Sequence, residues 1–146
     1  MIAEDPQTTP SFLIKRAAQE LARRAETMLR PLGLGMASLP VLVALKNGHA
    51  DTQAELARLL HVEQPSMAQT LARLERDQLI RRTADPARKR MQLVALTELA
   101  RECLPQARAA LAKGNTAALA GFNADEVAAF IDFLQRVNAN LDNARE

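Results

Sequence analysis

The chain has no tryptophan, no tyrosine and only four phenylalanines among its 146 residues. Aromatic platforms for unpaired bases are therefore scarce, which argues against single-strand nucleic-acid binding by stacking. A single cysteine, Cys103, excludes an internal disulfide framework, and the two histidines, His49 and His61, do not have metal-ligand spacing. No glycine-rich phosphate loop, nucleophile elbow or metal-binding helix motif is present, so the reading is of a non-enzyme without metal or cofactor. The longest apolar run, Leu39-Pro40-Val41-Leu42-Val43-Ala44-Leu45, is far too short to span a bilayer. The acidic opening, Met1-Ile2-Ala3-Glu4-Asp5-Pro6, lacks a secretory apolar segment. A cytoplasmic protein without membrane association is expected.

What is present is 48% hydrophobic residues, enough for one domain core, and a net charge of +2 that is unevenly placed. Between residues 53 and 97 stand eight Arg or Lys against five Asp or Glu, a local surplus of three. That segment opens with Thr52-Gln53-Ala54-Glu55, a capping box in which Thr52 satisfies an amide three residues on and Glu55 reaches back. The helix it starts breaks at His61-Val62-Glu63. Gln64-Pro65-Ser66 restarts it, with Pro65 suited to a position that needs no amide hydrogen. Three intervening residues suit the angled crossing of a helix-turn-helix.

In the second of these helices Met67, Leu71 and Leu74 share a core-facing stripe. Stepping about 100° per residue places Pro65, Ser66, Gln69, Ala72, Arg73 and Arg76 on the far side, with Thr70 at the flank. These are groups that read base edges in a major groove, although a solvated surface helix would show a similar polar face. The next stretch favours the first reading. Leu79 to Thr83 and Met91 to Leu96 read as strands joined by Ala84-Asp85-Pro86-Ala87-Arg88-Lys89-Arg90. The tip of that hairpin carries Arg88, Lys89 and Arg90 in succession, a cationic finger able to neutralise phosphates or enter a narrow minor groove.

With these residues in view, the chain resembles the MarR family of bacterial transcriptional regulators. The likeness rests on Thr52 to Leu60, Pro65 to Asp77, Leu79-Ile80-Arg81-Arg82 and Leu93-Val94-Ala95-Leu96-Thr97, in that order and spacing. An opening helix, Leu32-Gly33-Leu34 before a second helix, and a last helix introduced by Phe122-Asn123-Ala124-Asp125-Glu126 fit the same layout. The sequence departs from the family pattern in three places. Gln78 stands where glycine is usual after the recognition helix, and a side chain in a left-handed conformation there would cost about 1 kcal/mol, the alternative being a helix that ends differently. The family's Asp-x-Arg pair falls on Arg88 and Arg90, so the acidic member is missing, and Asp85 is considered as the group that orients Arg90. Ala100 replaces a common glycine inside a helix, where alanine is the better helix former.

The expected fold is mostly α with a small β-hairpin wing. Residues 1–146 form one domain, with a winged helix-turn-helix lobe at 34–99 and dimerisation helices at 8–33 and 100–146. Helices are expected at about Ser11 to Arg30, Ser38 to Lys46 and from Thr97 to roughly Leu119, the last kinked at Pro105, and a final helix follows Asn123. The apolar stripes Phe12, Leu13, Ala17, Leu21, Met28, Leu29 and Val127, Phe130, Ile131, Leu134, Val137, Leu141 call for a covering surface. A two-fold dimer would cover them and set two recognition helices about one DNA turn apart; an intramolecular three-helix cap is the alternative.

The resemblance implies an obligate dimer on a pseudo-palindromic double-stranded operator, most often as a repressor. It also implies a small aromatic or phenolic effector bound between the dimerisation helices and the winged lobe. Candidate lining residues are then Phe12, Arg16, Met36 and Val43, with Arg16 as carboxylate partner. Two further readings stay open. Some family members sense peroxide through a cysteine in the first helix, whereas here Cys103 lies after the wing, where an inert buried thiol is the commoner role. A winged fold can also serve as a protein-interaction adaptor, although an adaptor has no evident need for Arg88-Lys89-Arg90.

Overall fold

The computed structural model describes residues 5–144. The acidic opening at residues 1–4 and the last two residues of the expected dimerisation region, 145–146, lie outside them. Among the described residues six α-helices and one hairpin follow in chain order: α1 (Pro10–Leu29), α2 (Leu39–Lys46), α3 (Gln53–Leu59), α4 (Gln64–Arg76), β1 (Ile80–Ala84), β2 (Gln92–Leu96), α5 (Glu98–Ala118) and α6 (Ala124–Asn143). A short 3-10 turn, Arg30–Leu32, follows α1. The expected mostly α fold with a hairpin wing is the one observed. Two compact units divide between Gly114 and Asn115.

In the first unit the core is aliphatic. Leu29, Leu39, Leu42, Leu56, Met67, Leu71 and Leu74 are its largest fully buried side chains. One or two come from each of α1 to α3 and three from α4, so the helix-turn-helix is fixed by the same cluster that anchors α1. Burial of this kind contributes about 1.5–3 kcal/mol per large aliphatic side chain. Glu26 adds a polar tie, its Oε1 accepting a hydrogen bond from Met36 N at 2.8 Å, which holds the segment entering α2 against α1.

The helix ends are closed by local chemistry. Thr52 Oγ1 accepts from Glu55 N at 3.2 Å, but only this half of the expected capping box forms. At α6 both halves form, Glu126 N to Asn123 Oδ1 at 2.9 Å and Asn123 N to Glu126 Oε1 at 3.0 Å. α5 runs through Pro105 as one continuous helix. Thr97 begins it: its hydroxyl donates to Gln78 O at 2.7 Å and accepts from Ala100 N at 3.3 Å.

The second unit contains α6 and the turn before it. Phe122 and Phe130 pack with ring centroids 6.3 Å apart, and Arg136 lies over the Phe133 ring. No residue of α6 is buried, and Phe130, Ile131, Phe133, Val137 and Leu141 are exposed large apolar groups. Phe12, Leu13 and Ile14 are likewise exposed large apolar groups in the first turns of α1. Among the described residues no helix is long and apolar enough to cross a membrane.

Candidate nucleic-acid interface

Two left-handed residues shape the helix-turn-helix. α3 ends at Leu60, after which His61 takes φ 53° while Val62 N bonds to Ala57 O at 2.9 Å and His61 N to Arg58 O at 3.4 Å. This six-to-one and five-to-two pairing is a Schellman motif, and it turns the chain sharply into α4. The same motif ends α4: Gln78 takes φ 63°, Leu79 N bonds to Leu74 O at 2.9 Å and Gln78 N to Glu75 O at 3.0 Å. Gln78 thus adopts the conformation that glycine would adopt more cheaply, and the departure read in the sequence is accommodated by strain rather than by a different helix end. Its carbonyl is held by Thr97.

α4 presents the expected polar face. Met67, Leu71 and Leu74 are buried, whereas Pro65, Ser66, Gln69, Arg73 and Arg76 are exposed and Thr70 is half-buried at the flank. Arg76 is turned partly back, its Nε 3.4 Å from Asp77 Oδ1, while Arg73 has no ionic partner among the described residues. At the start of the helix Gln53 Nε2 donates to Gln64 Oε1 at 3.1 Å, tying α3 to α4 across the turn.

The wing is a two-stranded antiparallel hairpin in which Ile80 pairs with Leu96, Arg82 with Val94 and Ala84 with Gln92. Its tip keeps Arg88, Lys89 and Arg90 exposed, as the sequence suggests. The carboxylate that serves this tip is used differently from the expectation. Asp85 Oδ2 accepts from Arg88 Nε at 2.8 Å and Asp85 Oδ1 accepts from Ala87 N at 2.9 Å, so Asp85 orients Arg88 and not Arg90. A three-residue separation lets the Arg88 side chain fold back over the turn, and the amide of Ala87, then the Arg88 guanidinium, hold the Asp85 carboxyl below its ordinary pKa. Arg90 instead takes φ 77° and lines a cleft of about 500 Å³ of mixed polar and apolar lining, with Gln53, Gln64, Arg82, Met91 and Val94, between the wing and the first turns of α3 and α4.

A second cavity of about 420 Å³ has walls that are nearly all aliphatic. Val43 and Ala44 of α2, Leu59 and Leu60 at the end of α3, Leu111 of α5 and Met36 line it, with Asn47 and His49 as polar members. Two of the four effector residues read from the sequence, Met36 and Val43, therefore share a pocket. Phe12 and Arg16 do not line it and are exposed on α1. Arg108 reaches one lining residue of this pocket, its Nη2 donating to Asn47 Oδ1 at 3.4 Å. Cys103 is a free thiol, half-buried against the core from α5. No cluster of three potential metal ligands occurs among the described residues.

Sequence reasoning missed polar ties such as Gln53 with Gln64, Glu26 with the amide of Met36, Glu75 with Arg82 and Arg108 with Asn47. Each joins residues on different elements or across a turn, and no periodic signal marks such a pair.

A scan of known families matches the MarR family over residues 32–91. The HTH-type transcriptional regulator YwoH of Bacillus subtilis is 31% identical over 117 residues, covering 80% of this chain and 85% of the relative. Among solved structures, a mutant MarR from E. coli complexed with operator DNA is 26% identical with a TM-score of 0.82, over 93% of this chain and 99% of that one. PcaV from Streptomyces coelicolor, in complex with its natural ligand, is likewise 26% identical with a TM-score of 0.82, over 95% of this chain and 98% of that one. Architecture, helix-turn-helix and relatives agree, and the chain belongs to the MarR family of transcriptional regulators.

Proposed function

We propose that this regulator is a homodimer that binds a pseudo-palindromic double-stranded operator through α4 and the wing, and that it acts in the cytoplasm as a repressor released by a small aromatic or phenolic effector. The observation that carries the reading is the division of α4 into a locked apolar side and an exposed side bearing Pro65, Ser66, Gln69, Arg73 and Arg76, with Thr70 at its flank. The wing supplies Arg88, Lys89 and Arg90 alongside it. Arginine and glutamine side chains pair with guanine and adenine edges in the major groove, and an arginine at a hairpin tip suits a narrow minor groove. The MarR structure with operator DNA supports this use of the fold.

Dimerisation is supported by the large apolar groups in the first turns of α1 and along α6, solvent-exposed in the single chain. In this reading residues 8–33 and 100–146 join the copies and residues 34–99 form each DNA-binding head. Joining two heads makes the second engagement intramolecular, so affinity depends steeply on their separation. A ligand in the pocket of Met36, Val43, Leu59, Leu60 and Leu111 would press on α2, α3 and α5 together, which is where a shift of the head relative to α5 would begin. Phe12 and Arg16 remain effector residues of this proposal, with Arg108 beside Asn47 as a second cation for an acidic ligand. The natural ligand bound by PcaV supports ligand control on this fold.

Selecting bound fragments from the native genome, then challenging the complex with phenolic acids, peroxide and metal ions, tests the reading. One recurring pseudo-palindrome released by a phenolic acid is the expected result. Release by peroxide that disappears in Cys103→Ser would replace the effector with a redox trigger. Failure to retain any fragment would remove the DNA-binding reading itself.

A further inference from the structure

Beyond the core-packed Ile80–Leu96 rung, the wing is clamped at one further rung. Arg82 of β1 and Val94 of β2 are cross-strand partners, and each strand is fastened at that point to a different part of the helix-turn-helix. On the β2 side Val94 N donates to Asp51 O, just before α3, at 2.7 Å. On the β1 side Arg82 Nε lies 3.6 Å from Glu75 Oε1, in the last turn of α4. Ile80, one inward position earlier on β1, is buried in the core, whereas Thr83, Ala84, Gln92 and the whole cationic tip are exposed. Arg82 is therefore the last inward-facing attachment of β1 before the hairpin projects into solvent.

The chemistry of that attachment is uneven. The Arg82 side chain retains only 20% of its exposure, and its Nε is buried with no hydrogen-bond partner. At 3.6 Å the Glu75 carboxylate is too distant for a good hydrogen bond but close enough to compensate the charge. Nothing else among the described ion pairs serves this guanidinium. Glu75 sits beside Leu74 on the recognition helix and is half exposed, so a negative group stands near the surface where phosphates would approach.

We propose that Glu75 and Arg82 are a positioning pair that sets the angle of the wing against the recognition helix, so that α4 and Arg90 engage adjacent grooves in register. The inference rests on the DNA-binding reading above and adds a role for two residues outside the contact surface. Without Glu75, the Arg82 guanidinium has no counter-charge in its half-buried site and turns out to water. The hairpin beyond that rung is then held only from the β2 side, by the Asp51–Val94 bond and the buried Val94 side chain.

The sign of the effect separates this role from a bystander's. A carboxylate that merely sat near phosphates would, on removal, tighten binding. The test uses full-length protein and a genomic duplex retained by the unsubstituted chain. Glu75→Gln is expected to weaken binding roughly five- to tenfold, the scale of one lost groove contact, and to abolish minor-groove protection from hydroxyl radicals while keeping major-groove guanine protection. In the Arg90→Gly background it should change affinity by less than about twofold, because both substitutions act through the wing. Tighter binding, retained minor-groove protection, or independent multiplication of the two losses would overturn the proposal.

Two further measurements keep it testable. The exchanged pair Glu75→Arg with Arg82→Glu should recover minor-groove protection lost in either single variant, and a folded exchange variant without that recovery counts against the pair. Amide hydrogen exchange across residues 83–91 of the protein alone should accelerate in Glu75→Gln. That readout needs no duplex, so it distinguishes failure of the pair from failure of the DNA-binding reading: unchanged exchange overturns the pair whether or not any duplex is bound.

Discussion

Arg88 is tied to Asp85 across the wing turn, Nε to Oδ2 at 2.8 Å, while Asp85 itself keeps only 9% of its side-chain exposure. One of the three tip cations is thus partly neutralised inside the free protein. Asp85→Asn keeps an oxygen for the Ala87 amide but removes the charge, releasing Arg88 toward phosphate. Nonspecific duplex affinity should rise, and the slope of log affinity against log salt should steepen by about 0.9, one added phosphate contact. Filter binding from low to moderate salt checks it; an unchanged slope would show that Arg88 reaches phosphate without leaving Asp85.

The same carboxylate predicts a pH dependence. Its folded pKa lies below its ordinary value of 3.8, through the Ala87 amide first and Arg88 second. A depressed acid contributes stability that is fully present above the ordinary value and is lost as pH falls through the folded one. The Ala87 amide resonance should therefore hold its position through the neutral and mildly acidic range and move only below the ordinary carboxylate range. Movement near neutrality would mean that Asp85 is not the acceptor.

Arg90 carries its guanidinium on a backbone at φ 77°, a conformation that costs a non-glycine residue about 1–2 kcal/mol. Arg90→Gly removes the side chain and relieves the backbone, whereas Arg90→Ala removes the side chain and keeps the strain. Both should weaken binding to all duplexes and flatten the salt slope by about one unit. The glycine variant should melt higher than the alanine variant. Equal affinity of either variant and the unsubstituted protein would exclude Arg90 from the interface.

Gln78 offers a test of stability alone. Gln78→Gly should raise unfolding stability by roughly 1 kcal/mol, because φ 63° costs glycine nothing and the Thr97 bond is to a backbone carbonyl. For a chain of this size that is a shift of about 3 °C in the melting midpoint. A lower midpoint would show that the glutamine side chain makes a stabilising contact.

Gln69 and Arg73 should behave differently from the tip. Each is exposed on α4, and its replacement by alanine should cost about 1–3 kcal/mol at particular base pairs while leaving the salt slope nearly intact. Randomised-site selection reads this directly as relaxed preference at one or two positions per half-site. Uniform weakening across sequences would move the residue to the phosphate class.

Local features of this fold are legible in the amino-acid sequence. The stripe Met67, Leu71 and Leu74 lies within one helix, and helical periodicity places it and the opposite polar face without further information. The hairpin is announced by two strand-like runs around Asp85-Pro86, and its ends fall within a residue or so of the expectation. Non-local choices are the ones that sequence leaves open. Whether Asp85 serves Arg88 or Arg90 depends on the path of the loop between the strands, and the three-residue reach wins. Gln78 could have ended α4 in several ways; it takes the left-handed one, with Leu79 and Ile80 buried in the core directly after it. Met36 and Val43 meet in one pocket while Phe12 and Arg16 do not, because periodicity says which side of a helix is apolar but not which neighbour it faces.

The central claim is that two copies of this chain grip one duplex through α4 and the wing. Sedimentation velocity of the full-length protein mixed with a duplex bearing its selected pseudo-palindrome, at moderate salt, measures this most directly. Two chains per duplex are expected, with the free protein already sedimenting as a dimer. One chain per duplex, or protein and duplex sedimenting apart, would contradict it.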